Sequence, residues 1–205
     1  MILGMPGKDG SNLLSFFRDV GRFDYMKAGS EPITDFAVSS GPLDFAGLFH
    51  VHYPRIARVI ARVVQDPARA EELASEVFWK LWRSPEAQSG NAGGWLYRTA
   101  VRMGLDELRR QSRRRRYEKL LALFGNSPSP EQLHSEEQEQ EHVRIVLAVL
   151  KSRDSALLVL QSEGFSYLEM AETLHINETS IGTLLRRAQQ AFRKEFVKRY
   201  GKRIG

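Results

Sequence analysis

The segment GFSYLEMAETLHINETSIGTLLRRAQQAF, Gly164 to Phe192, holds the side chains best suited to chemistry. Asn177, Glu178, Ser180 and Thr183 gather amide, carboxylate and hydroxyl groups, and Arg186 and Arg187 follow. Hydroxyls, amides and arginines are the groups that bond to phosphates and base edges of a DNA duplex. A second cluster lies upstream. Between Arg98 and Lys119, nine cationic side chains face only Asp106, Glu107 and Glu118. Such density is costly by self-repulsion unless solvent or phosphates neutralise it. Trp95 and Tyr97 stand at its start. Rings beside arginines suit unpaired bases, which stack while their backbone follows the positive charge. By composition alone a solvated helix end accounts for this run equally well, and Trp95 equally suits a core.

Other chemistries find little support. The chain has no cysteine, so no disulfide, thiolate metal site or cysteine nucleophile is available. His50 and His52 lie two apart and point different ways on a helix, while His134, His142 and His175 are scattered. No phosphate-cradling glycine loop or set of paired carboxylates is evident. The reading is therefore a non-enzymatic protein with no cofactor and no metal. The net charge of +5 over 205 residues is modest, and the clustering carries the argument. The start, MILGMPGKDG, reads as neither signal peptide nor membrane span, which fits the cytoplasm.

The elements that must position these residues read as helices throughout. Residues 1–42 are poorly patterned and read as a mobile extension, with Met5 and Met26 as other candidate starts. Phe45, Leu48, Phe49, His52, Ile56, Val59, Ile60 and Val63 follow helical spacing, with Pro54 inside the run as a potential kink. Asp66-Pro67 predicts an N-cap with proline at the first helical position. The next helix runs to about Arg83. Leu73, Val77, Phe78, Leu81 and Trp82 are expected on one face, and Glu71, Glu72 and Glu76 on another. Ser84 to Gly94 reads as a loop, and a long helix follows from near Trp95.

GNSPSPEQLHSEEQEQE, residues 125–141, reads as an acidic linker with five glutamates from Glu131 on. A second helical unit begins at His142. Val143, Val146, Leu147 and Leu150 form one stripe, and a further helix follows Ser152. Ser166 with Glu169 predicts a capping box. Leu168, Ala171 and Leu174 are expected to face inward. His175-Ile176-Asn177 reads as the turn, with His175 at a left-handed position and Asn177 or Thr179 as the next cap. Ile181, Leu184, Leu185 and Ala188 supply the buried face of the last helix. Helix, tight turn and basic helix make a helix-turn-helix, whose second helix can lie in the major groove. The hydroxyl and amide cluster argues against an ordinary helical hairpin.

Together these segments resemble a bacterial sigma factor of the extracytoplasmic-function group within the sigma-70 family. DPARAEELASEVFWKLWR is similar to the family helix that docks on the clamp helices of the RNA polymerase β′ subunit. GGWLYRTAVRMGLDELRRQSRR is similar to its promoter-melting and minus-ten-reading helix. The helix-turn-helix resembles the minus-thirty-five reader. The resemblance covers residues 43 to about 200 and implies an all-α chain of two small domains. These are a region 2-like domain at 43–119 and a region 4-like domain at 142–205, joined by a linker at 120–141.

It further implies roles for residues. Glu71, Glu72, Leu73, Glu76 and Phe78 would meet core polymerase. Trp95, Arg98, Arg102, Asp106, Arg109 and Arg110 would serve the minus-ten element, and the Ser84–Gly94 loop would capture a flipped base. Asn177, Glu178, Ser180, Thr183, Arg186 and Arg187 would serve the minus-thirty-five element. Implied partners are core polymerase through its β′ clamp helices and β flap, promoter DNA, and an anti-sigma factor. The acidic linker would thread the polymerase channel. Met103, Gly182, Leu184 and His175 depart from residues frequent in the family, which predicts an unusual promoter sequence. A free-standing helix-turn-helix regulator is the competing reading. It would bind paired half-sites without polymerase.

Overall fold

The computed structural model describes residues 44–88, 91–124 and 135–201. They form eight helices, with no strand among the described residues. The sequence expectations for residues 1–43 and for the linker at 125–134 lie outside them.

α1 (Phe45–Val64) runs through Pro54 and starts on Asp44, whose carboxylate accepts from Gly47 N. α2 (Pro67–Trp82) starts as the Asp66-Pro67 pair predicts: the Asp66 carboxylate accepts from Arg69 N at 3.1 Å. The Ser84–Gly94 stretch is not all loop. It holds a short helix, α3 (Pro85–Gln88), and Gln88 Nε2 donates to the carbonyls of Leu81 and Trp82. Those are among the carbonyls a helix end leaves without partners, so Gln88 closes α2. α4 (Ala92–Phe124) begins three residues before Trp95, because Asn91 Oδ1 accepts from Gly94 N at 2.6 Å. Ile56, Val59, Ile60 and Val63 of α1 pack with Leu73, Val77, Phe78 and Leu81 of α2 and with Leu96, Ala100, Leu105 and Leu108 of α4.

The second domain comprises α5 (Ser135–Val149), α6 (Ser152–Ser162), α7 (Tyr167–Leu174) and α8 (Glu178–Tyr200). Val146, Leu157, Leu160, Met170, Ile181, Leu185, Ala188 and Phe192 are buried there. Helix extends past both proposed linker edges: α4 continues to Phe124, and α5 starts seven residues before His142. The two domains are not held apart. Their buried apolar residues make one continuous cluster. α4 packs directly against α5, α6 and α7.

Candidate nucleic-acid and polymerase interfaces

The helix-turn-helix is built by local bonds legible in the sequence. Glu169 N donates to Ser166 Oγ at 3.2 Å, and Ser166 N donates to Glu169 Oε2 at 2.6 Å, a complete capping box. His175 ends α7 in the left-handed conformation, φ 52°, and Ile176 N donates back to Ala171 O at 3.0 Å. Histidine tolerates this region better than most side chains. Asn177, not Thr179, caps α8: its Oδ1 accepts from Thr179 N and Thr179 Oγ1. Ile181, Leu185 and Ala188 are buried as expected, and Leu184 is half-buried.

One inward expectation fails. Leu168 is 53% exposed, and Met170 fills the core from α7 instead. In an eight-residue helix the choice between adjacent apolar faces depends on its neighbours, which spacing alone does not supply.

None of the six residues predicted to face the minus-thirty-five element is buried. Asn177, Glu178, Thr183, Arg186 and Arg187 are exposed and Ser180 is half-buried. The Asn177 amide oxygen is engaged in its cap, which fixes it at the mouth of α8. Arg186 and Arg187 form no ion pair among the described residues, so both guanidiniums are available to an incoming anion. Gly182 lies beneath the Tyr167 ring, whose nearest atom would stand 3.5 Å from an added Cβ.

The predicted minus-ten residues are less uniform. Arg102, Asp106 and Arg110 are exposed. Asp106 pairs with Arg109 at 3.3 Å, and Arg110 pairs with the buried Glu107 at 3.1 Å. Arg69 of α2 reaches the same Glu107 oxygen at 3.2 Å, tying α2 to α4. Trp95 is half-buried and packs on the core. Arg98 and Arg109 turn to the other domain. Arg98 Nη1 donates to Thr173 O at 3.4 Å, and Arg109 Nε to Ala148 O at 3.3 Å. Burial lowers the Arg98 pKa from its usual value. Beyond this stretch Arg113, Arg114 and Arg116 are exposed and extend the positive surface.

On α2 the structure divides the polymerase-facing candidates. Glu71 and Glu72 are exposed and Glu76 is half-buried, with Glu72 paired to Arg69 at 2.8 Å and Glu76 to Lys80 at 3.2 Å. Leu73 and Phe78 are 4% and 2% exposed. They are core side chains, packed inside the domain, and do not form a contact surface. The apolar groups that α2 does present are Trp79 and Trp82, the latter 63% exposed rather than inward. Arg83 lies over the Trp79 ring at 4.7 Å, and Trp82 meets the edge of Phe45 at 5.2 Å. The run FWKLWR carried the signal: with Phe78 and Leu81 inward, a 3.6-residue period turns Trp79 and Trp82 outward.

Among the described residues no group of His, Asp and Glu is arranged to hold a metal ion, and no helix is long and apolar enough to cross a membrane.

Two exposed cationic surfaces, one on α4 and one on a helix-turn-helix, thus occupy a single helical chain. The Sigma-70 region 2 family matches residues 48–114, the stretch from α1 to the arginine run of α4. The chain is 29% identical over 189 residues to the ECF RNA polymerase sigma factor SigE of Mycolicibacterium smegmatis, covering 85% of this chain and 72% of that one. These matches support a sigma factor of the sigma-70 family, in its extracytoplasmic-function group. The ferric citrate uptake sigma factor FecI of Escherichia coli is 25% identical over 171 residues, 80% of this chain and 99% of its own length. An ECF RNA polymerase sigma factor SigK, from Mycolicibacterium vanbaalenii, is 24% identical over 157 residues, 73% and 80% of the two chains. These alignments exceed the region 2 match, so the likeness extends into the helix-turn-helix half.

Proposed function

We propose that this extracytoplasmic-function sigma factor is a promoter-specificity subunit of bacterial RNA polymerase, a non-enzymatic initiation factor working in the cytoplasm. The observation that carries the reading is the coexistence of two separate DNA-suited surfaces, in family order, on one chain. α8 would enter the major groove at the minus-thirty-five element. Thr183 and Ser180 would approach base edges while Arg186 and Arg187 hold phosphates. α4 would guide the separated strand at the minus-ten element. There Arg102 and Arg110 offer charge, and Trp95 sits where a base could stack.

Core polymerase would dock on the outer face of α2. Glu71, Glu72 and Glu76 would meet cationic groups of the β′ clamp helices, and Trp79 and Trp82 would supply the apolar anchor in place of Leu73 and Phe78. Exposed aromatics of this size are the commonest anchors of protein interfaces. The second domain would reach the β flap, and an anti-sigma factor would restrain the chain.

The test is assembly. The chain should co-purify with core polymerase, and the complex should bind a two-part promoter duplex that neither component binds specifically alone. Specific, dimeric binding of duplex half-sites by the chain without polymerase would favour a free-standing regulator instead.

A further inference from the structure

The first domain carries an apolar groove between α1 and α2 that nothing among the described residues covers. We infer that the segment just before α1, Ile33 to Val38, folds back into this groove and competes there with core polymerase. The docking stands on its own observations, and only the competition rests on the reading above.

Phe45, Phe49 and Tyr53 follow one another at about one turn along α1 and form one side of the groove. Ser75, Trp79 and Trp82 have the same spacing on α2 and form the other. The two rows meet at both ends. Tyr53 Oη lies 3.5 Å from Ser75 Oγ, and Phe45 meets the edge of Trp82 at 5.2 Å. Phe49 stacks on Tyr53 at 4.7 Å and meets the buried Phe78 ring at 4.9 Å, so Phe78 forms the floor. Phe49, Trp79 and Trp82 are 40%, 55% and 63% exposed. Single exposed apolar residues are ordinary, but adjoining aromatic rings on one face mark an interaction surface. Polymerase would cover it only in the complex. In the free chain another occupant is needed to keep these rings from water.

Position, length and chemistry point to the preceding segment. The described residues begin at Asp44, whose carboxylate caps α1 through Gly47 N. The chain before it therefore leaves from the end of the groove where Phe45 meets Trp82. Gly41-Pro42, a turn-forming pair, stands just ahead of that point. Phe36 lies nine residues before Phe45, and a flexible tether of that length spans about 15–18 Å. Trp82 and Trp79 are less than a turn apart, about 5 Å along α2, so Phe36 can reach both. Ile33, Phe36 and Val38 are the large apolar side chains of residues 28–42, a stretch with Glu31 and Asp35 and no Lys or Arg. The groove offers the opposite charge. Arg83 lies over the Trp79 ring at 4.7 Å and has no ion pair among the described residues. A second copy of the same face would bring another Arg83 in place of the two acids.

Tethering sets the balance. A short flexible tether gives an effective concentration in the millimolar range. A segment whose untethered Kd is about 0.1 mM is then docked about nine-tenths of the time, and polymerase meets a site weakened about tenfold.

The test uses the full chain, whose three tryptophans are Trp79, Trp82 and Trp95. Two of them line the groove, and acrylamide, a neutral quencher, reads their exposure through intrinsic fluorescence. Ile33→Ser, Phe36→Ser and Val38→Ser together should raise the quenching constant and shift the emission to the red. The same variant should bind core polymerase about tenfold more tightly. Phe36→Leu alone keeps an apolar group and should leave both readouts as in the native chain. Residues 28–42 supplied as a synthetic peptide at about 0.1 mM or above should restore shielding to the triple variant. Equal quenching of the native and triple-variant chains overturns the docking. A difference that grows with chain concentration, with dimers in sedimentation, gives the groove to a second copy and overturns it as well. Altered quenching with unchanged polymerase affinity overturns the competition. If neither chain binds polymerase, the proposed function fails, while the quenching result still decides the docking.

Discussion

Arg186 and Arg187 stand open to solvent on α8, whereas Arg98 and Arg109 on α4 are held half-buried against the opposite domain. All four are arginines on basic helices and carry the same expectation from sequence. The difference is what they touch. The α8 pair can meet a phosphate in the chain as it stands, while the α4 pair must first leave carbonyl partners. The helix-turn-helix residues are accessible as the chain stands, whereas part of the candidate α4 surface is engaged between the domains. A long helix has room for both kinds of residue: α4 bonds to the second domain through Arg98 and Arg109 and leaves Arg102, Arg110, Arg113, Arg114 and Arg116 exposed.

The contrast between covered and open residues is broken most strongly on α2. Phe78→Ala removes a buried ring and should destabilise the chain by about 3–5 kcal/mol, seen as a lower denaturant midpoint. Trp79→Ala with Trp82→Ala should cost only about 0.5–1.5 kcal/mol, mostly the edge interaction with Phe45. The double variant should nonetheless lose polymerase binding in a pull-down. Equal polymerase binding by the tryptophan variant and the native chain would remove α2's outer face from the account.

On the open surface, Arg186→Ala with Arg187→Ala should weaken duplex binding within the polymerase complex. The slope of log affinity against log salt should fall by about one for each phosphate that is no longer neutralised. Polymerase binding should not change. An unaltered salt slope would mean that these arginines do not touch the backbone.

Two smaller changes sharpen the view of the reader domain. Ser166→Ala removes half of the capping box and should cost about 1 kcal/mol of second-domain stability. Gly182→Ala should add up to about 1 kcal/mol from helix propensity, since its Cβ would meet the Tyr167 ring at an ordinary van der Waals distance. Destabilisation by Gly182→Ala in thermal unfolding would show that the Tyr167 ring cannot adjust.

What is legible in the sequence is local. Ser166 with Glu169, His175 at the left-handed turn, Asn177 as a cap and Asp66-Pro67 each satisfy backbone groups within three or four residues, so their signals survive without tertiary information. Choices between neighbouring faces are harder. Leu73 and Phe78, expected as polymerase contacts, lie in the core, and Trp82 and Leu168, expected inward, are exposed, because an apolar residue next to a core position looks the same whichever side it takes. The contacts between the domains are not legible at all. Arg144 interrupts the apolar stretch HVRIVLAVL beside Val143, a position from which it must either reach solvent or find partners. Its partners are carbonyls 81 and 80 residues away, at Val63 and Val64, and no spacing rule pairs a guanidinium with backbone oxygens at that separation.

The most direct measurement is run-off transcription from a pool of upstream genomic fragments by bacterial core RNA polymerase, with and without this chain. New transcripts should start downstream of one shared two-part sequence, and should be lost when Arg186 and Arg187 are replaced by alanine. No new transcripts, together with no complex between the chain and core polymerase, would contradict the proposed function.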